Sequence, residues 1–401
     1  MSFTFGQRVR ELPRALIWPV WVAACVIVIV GFTGSLVLVI PAAANASLTQ
    51  AELASWVWAI IVGCGVGNLV LSLVYRQPIL VVWSTPGLAL LATALAQYPI
   101  AEAVGAYIIV GVLIIVIGVS GLFTRLVSVL PQPVALAVLG GLLLKFGLGV
   151  MGALAGAPLL VLAMIVAFFL GRRLGWRAPM AGVLVAGVLV AAAQGGLNFT
   201  QVQLAITLPI VVMPIFSIGA VINLGLPLLV LALASQNLPG FAVLRAAGYE
   251  PPVRGILAST GLLSVLFAPL LAHGFTLAAI TAAIGTSPEA HPEKDLRYGV
   301  GIAVGILKIA LGMFGATIVG VFAALPVELV AAAAGLALSG TILNALTGAF
   351  GEPRHRTSAL WALLVTASDV TLLGIGSAFW GFVAGIVVYL LLERDTRTPA
   401  I

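Results

Sequence analysis

The residues of this chain that can do chemistry are amides, hydroxyls and an imidazole set inside long apolar runs. Trp83-Ser84-Thr85-Pro86-Gly87 follows Ile79 to Val82, a run of extended character, and reads as a helix start: Ser84 or Thr85 can cap, and Pro86 suits a first turn. A helix N-terminus presents unpaired N–H groups and the positive end of a dipole, which in a low dielectric attract an anion such as a carboxylate. Gln236 and Asn237 offer donors and acceptors without charge, either as glue between helices or as ligand contacts. His273, with Gly274 and Thr276 after it, lies in an apolar run and titrates near neutral pH, so it could hold a proton or brace a broken backbone. Thr33, Gly34 and Ser35 supply hydroxyls and close backbone approach, and Trp83 a ring for an aromatic ligand or for packing. No nucleotide loop, catalytic triad or metal-ligand spacing accompanies them. Cys25 and Cys64 sit apart in apolar runs and read as fillers, so no enzyme chemistry, cofactor or metal is expected.

The elements that must position these groups follow from composition. Of 401 residues 62% are hydrophobic and 7% charged, against about 25% charged in soluble domains, which excludes a water-facing globule. Stretches such as Ala23 to Val30 and Ile108 to Ile117 are apolar on all sides, which argues against the alternation of a β-barrel. The chain is expected to be an all-α polytopic membrane protein, with fourteen spans near 15–41, 51–74, 79–97, 101–122, 127–148, 155–171, 179–194, 217–246, 254–270, 273–287, 297–322, 326–348, 357–375 and 377–393. With both termini cytoplasmic, this count places all but two of the 18 Lys and Arg on the inner side, among them Arg8, Arg76, Arg125, Arg172, Arg254, Arg354 and Arg397. The net charge of +6 is therefore a topology signal and not a nucleic-acid one. The first run, behind Arg8, Arg10 and Arg14, reads as an uncleaved span. Lys145 and Glu328 lie near span ends. Lys308 and Asp369 lie deeper, where they could pair or take part in proton movement, and no motif decides between these roles.

Leu130-Pro131 and Leu325-Pro326 open two similar Ala/Leu/Gly-rich spans about 195 residues apart, close to half the chain. Seven spans per half put the second half into the membrane from the opposite side, an inverted repeat of residues 1–200 and 201–401. From Pro86 to Gln97 is twelve residues, roughly 18 Å of helix, too short for about 30 Å of hydrocarbon, so the third span is expected to start near mid-membrane. Ala268 to Thr276, ahead of a short helix ending near Ser287, marks the matching break in the tenth, and the two half-helices would face each other by their N-termini.

Several stretches carry a resemblance: Tyr75-Arg-Gln-Pro-Ile79, Trp83 to Gly87, Ala234-Ser-Gln-Asn-Leu-Pro-Gly240 with Val243 to Tyr249, His273-Gly274, Ala278 to Ala283, Pro288-Glu-Ala-His-Pro292 and Gly374 to Gly381. Together they resemble the BenE family of benzoate/proton symporters over essentially the whole chain. That family is similar in fold to the uracil/xanthine permeases and sulfate-type anion transporters. The resemblance implies a core domain of spans 1–4 and 8–11, a gate domain of spans 5–7 and 12–14, and short antiparallel strands before the half-helices of spans 3 and 10. It implies proton-coupled import of benzoate or a related aromatic carboxylate across the inner membrane. The pocket expected is built from Thr33, Gly34, Ser35, Trp83, Ser84, Thr85, Gly87, Gln236, Asn237, His273, Gly274 and Thr276, with His273 or Asp369 as candidates for the proton. Another small anion or a nucleobase on the same fold, a channel, or a membrane-embedded enzyme are the alternatives. The partners expected are the carboxylate, a proton and the lipid bilayer, with no nucleic acid, and pairing of gate helices leaves a homodimer open.

Overall fold

The computed structural model describes residues 11–123, 125, 131–176, 179–199, 202–368, 370–372 and 376–393. Its helices of the first half are α1 Trp18–Ser35, α2 Gln50–Tyr75, α3 Thr85–Ala94, α4 Ile100–Ser120, α5 Gln132–Gly156, α6 Pro158–Arg173 and α7 Pro179–Ala193. Those of the second half are α8 Ile218–Ala246, α9 Val253–Leu270, α10 Ile280–Gly285, α11 Tyr298–Gly312, α12 Gly315–Ala323, α13 Val327–Phe350, α14 Arg356–Ala367 and α15 Ser377–Val388. Among the described residues six of these, α2, α4, α5, α8, α9 and α13, are long and apolar enough to cross a membrane, and a seventh is added if α11 and α12 count together. The expected single span over 297–322 is bent by 68° between α11 and α12.

Local chemistry sets the element ends. Thr49 and Glu52 form a reciprocal capping box on α2: the Glu52 N–H donates to Thr49 Oγ1 at 3.2 Å, and the Thr49 N–H to Glu52 Oε2 at 2.8 Å. Prolines stand in the first turns of α1, α3, α5 and α6, where their missing N–H costs nothing.

Two helix crossings depend on glycine. A Cβ on Gly305 of α11 would lie 2.7 Å from the Gly65 carbonyl oxygen of α2, and one on Gly261 of α9 would lie 2.8 Å from the Gly111 carbonyl oxygen of α4. Helix α5 packs along α13, α14 against both α15 and α5, and α6 against α7.

Residues 202–216 join the halves as an extended arm, with backbone N–H groups tied to both halves. Thr207 donates to the Met313 carbonyl, Val212 to that of Pro269 and Ile215 to that of Ala101, at 2.8–2.9 Å. The boundary placed at residues 200 and 201 lies outside the described residues.

The one sheet among the described residues is a two-stranded ladder, β1 Val81–Trp83 antiparallel to β2 Phe275–Leu277, with Val81 opposite Leu277, Val82 opposite Thr276 and Trp83 opposite Phe275. The extended character of Ile79 to Val82 is thus realised, and each strand feeds a short helix, β1 into α3 and β2 into α10.

Candidate functional site

A two-stranded ladder deep in an apolar protein leaves two outer edges of backbone N–H and C=O groups that hydrocarbon cannot satisfy. Buried amides close them. Asn68 of α2 accepts from the Val81 N–H at 2.7 Å and donates to the Val81 and Cys64 carbonyls at 3.0 and 2.6 Å. On the other edge, Asn237 of α8 accepts from the Leu277 N–H at 3.0 Å. Ser72 donates to the Ile79 carbonyl, and Ser264 accepts from the Phe275 N–H, both at 3.0 Å.

Ser84 caps α3: its Oγ accepts from the Gly87 N–H at 3.0 Å and its carbonyl from that of Leu88 at 2.8 Å. Pro86 has no N–H, so the remaining donors of that turn are the Thr85 N–H and hydroxyl. Gly87 is required by close approach, since a Cβ would stand 2.8 Å from a Leu228 methyl. The second short helix stands after His273, Gly274 and Thr276, as the sequence places it, but a strand separates His273 from its start. Gly274, at φ 126°, turns the chain into β2, Thr276 lies inside that strand, and α10 begins at Ile280, six residues long and without a side-chain cap.

His273 is buried between elements of both halves. The Trp56 indole N–H donates to its Nδ1 at 3.1 Å, which assigns the ring hydrogen to Nε2, and Nε2 donates to the Ser84 carbonyl at 3.2 Å. Both ring nitrogens are engaged, and His273 does not border the cavity described next.

A cavity of about 630 Å³ opens beside the strand ladder. Trp83, Thr85, Gln236, Ala278, Ala279, Thr281 and Lys308 line it on the ladder side, and Gln132, Leu136, Leu139, Ser339, Thr341 and Asn344 from α5 and α13 on the other, with Phe168 and Arg172 of α6. Ile27 and Gly31 represent α1; of Thr33, Gly34 and Ser35 the backbone completes that helix, and their side chains lie outside the described residues. So does Asp369.

Gln236 and Asn237 lie in a π-helical stretch, Leu231–Asn237. Successive side chains on a helix point in different directions, so Gln236 borders the cavity while Asn237 meets β2. Of the residues expected in a pocket, the structure therefore brings Trp83, Thr85 and Gln236 to the cavity, while Ser84, Gly87, Asn237, His273, Gly274 and Thr276 stand behind it.

Two residues gain a place that sequence reasoning did not give them. Asn68 is one, and the signal that could have found it is the one that singles out Asn237, an uncharged amide well inside an apolar span. Lys308 had no assigned role. It is 3% exposed, its Nζ donates to the Val81 carbonyl at 3.2 Å and lies 5.6 Å from the Trp83 ring centroid, and among the described residues it has no carboxylate partner. The face of Trp83 is thereby engaged by a cation, with Phe32 edge-on at 5.9 Å. Among the described residues lining the cavity there is no Asp or Glu, and two basic side chains, Lys308 and Arg172, are present. Such a lining favours an anion.

The comparisons with known proteins agree with this chemistry. Residues 17–391 match the family model described as benzoate membrane transport protein. The chain is 41% identical over 375 residues to the inner membrane protein YdcO of Escherichia coli (strain K12), covering 94% of this chain and 96% of that protein. It is 37% identical over 375 residues to the benzoate membrane transport protein of Acinetobacter baylyi (strain ATCC 33305 / BD413 / ADP1), covering 93% and 95%. Among solved structures it resembles SLC26A9 (TM-score 0.62, 12% identity, 96% of this chain and 67% of that one). It also resembles the transmembrane domain of the cyanobacterial bicarbonate transporter BicA (TM-score 0.54, 14% identity, 94% and 97%). At these identities the two structures share the fold alone.

Proposed function

The chain belongs to the benzoate membrane transport family, a family of transporters and not of enzymes, and on that footing we propose that it imports benzoate, or a close aromatic carboxylate, together with a proton across the inner membrane. The observation that carries this reading is the cavity beside the ladder, whose described lining holds two basic side chains, Lys308 and Arg172, and no acid. Thr85 and Gln236 supply neutral donors for a carboxylate, and Val82, Leu139, Phe168 and Leu336 supply apolar surface for a ring. The volume, about 630 Å³, suits an aromatic acid better than a small inorganic anion, which it would leave loosely held.

The transport cycle in this reading uses fourteen spans in two inverted halves. Helix pairings support it: α2 with α11 and α4 with α9 exchange under a swap of the halves, as do α6 with α7 and α14 with α15. The crossing glycines obey the same exchange, Gly65 with Gly261 and Gly111 with Gly305, at the offset of about 195 residues that relates Leu130-Pro131 to Leu325-Pro326. The ladder-bearing spans 1–4 and 8–11 form the core and spans 5–7 and 12–14 the gate, with the cavity between them. Ser84, Gly87, Asn237, His273, Gly274 and Thr276 hold the ladder that presents Thr85 and Gln236.

Moving a benzoate anion inward against a negative interior costs about 2.3 kcal/mol per 100 mV, so accumulation requires a co-transported positive charge, and a proton is the simplest. In proteoliposomes, radiolabelled benzoate should accumulate when the outside is acidified, saturate with concentration and stop when a protonophore is added. Uptake that neither saturates nor responds to the pH gradient would favour a channel and sink the symport reading.

A further inference from the structure

The carboxylate and the proton each need a seat in the protein, and the seats the sequence suggests are poorly furnished. The first turn of α3 has lost donors to Pro86 and the Ser84 cap, and α10 is a six-residue stub whose dipole is correspondingly small. His273 has both ring nitrogens engaged, and a second proton at Nδ1 would oppose the Trp56 N–H donor. Lys308 borders the same cavity, is nearly inaccessible, and when protonated carries a full unit of charge where a helix end carries about half. Among the described residues its Nζ meets the Val81 carbonyl, already shared with Asn68, and the Trp83 face.

We infer that Lys308 binds the substrate carboxylate and the coupling proton as a pair. This rests on the transport reading above. A carboxylate arriving at the Thr85 and Gln236 side of the cavity completes an ion pair with the Lys308 ammonium, and the loaded site is electroneutral. After the carboxylate leaves to the cytoplasm, an ammonium that stayed charged would have to travel outward against the membrane potential, at about 2.3 kcal/mol per 100 mV. Releasing its proton to the cytoplasm as well removes that cost. The next proton is then taken from outside, the lone pair of Nζ forming the N–H bond, so each cycle imports one carboxylate and one proton. The ligand and the proton favour each other's binding, as symport requires. Among the described residues, the titratable groups around Lys308 are the Cys64 thiol from α2 and Arg172 of α6, which lines the same cavity; neither is a carboxylate that could hold the proton in its place.

The test is calorimetry of benzoate binding to the purified full-length protein, in two buffers of different ionisation enthalpy at one pH, paired with uptake by proteoliposomes. Wild-type protein should take up close to one proton per benzoate bound. Lys308→Arg keeps a charge that cannot be lost, so it should bind benzoate with no proton uptake and exchange external for internal benzoate without pH-driven accumulation. Lys308→Gln should weaken binding at least about tenfold. Proton uptake at the wild-type level in either variant would overturn the assignment, and so would wild-type binding with no proton uptake. The two variants decide independently should one of them fail to fold. A wild-type protein that binds no benzoate would instead overturn the transport reading, and this assignment with it.

Discussion

At the residue scale, the amides of this protein divide into two classes that a sequence treats as one. Asn68 and Asn237 are fully buried and close the edges of the ladder, whereas Gln236 is half-buried and borders the cavity. The consequences of removing them should differ in kind. Asn237→Ala strands the Leu277 N–H, and a buried unsatisfied donor costs about 1–3 kcal/mol, so this variant should unfold at a lower temperature in detergent. Gln236→Ala faces open cavity and should leave the melting temperature unchanged while raising the benzoate Kd about three- to tenfold, the loss of one hydrogen bond. Thermal melts and binding isotherms of the two variants check the division, and an interchange of the two phenotypes would refute it.

At the element scale, the ladder and the glycine crossings decide where short helices can begin. β1 and β2 send α3 and α10 off from opposite ends of one short ladder, and Phe275 packs over Gly63 of α2 so closely that a Cβ there would lie 2.2 Å from the ring. The helices that brace the ladder are fixed by the crossings. Gly305→Leu forces α11 away from α2 at the Gly65 carbonyl, and because α11 also carries Lys308, the variant should lose stability and substrate binding together. Gly149→Leu, on α5 where a Cβ meets nothing within 4 Å, is the matched control and should fold normally. Size-exclusion profiles and melting temperatures of the pair measure the difference. Equal behaviour would show that the α2–α11 crossing has room that the backbone approach denies.

At the scale of the whole molecule, the arm of residues 202–216 is the only covalent route between halves that otherwise meet through paired helices. It spans several helices in extended form because its N–H groups find carbonyls on both halves along the way. On the proposed arrangement of fourteen spans with a cytoplasmic start, the C-terminus is cytoplasmic as well. A reporter fused after Arg397 should read as cytoplasmic, and one inserted in the arm as external. A reversal of either reading would remove the inverted-repeat arrangement, since an odd number of spans per half is what turns the second half over.

Composition and local order alone determined that this chain is a helical membrane protein, that the helix after Ser84 is short, and that an extended run precedes it. These depend on hydropathy, on proline and on capping hydroxyls, which act within a few residues of where they stand. The tertiary structure alone decided which polar groups meet. β2 pairs with β1 from the other half of the chain, and α8 turns Gln236 to the cavity and Asn237 to β2. Lys308 and Trp83, distant in the chain, came together at one cavity wall because α11 crosses α2 at paired glycines, and α2 holds β1 through Asn68. Long-range contacts of this kind leave no local pattern, and a lysine in an apolar span reads the same whether it points at a cavity or at a span end.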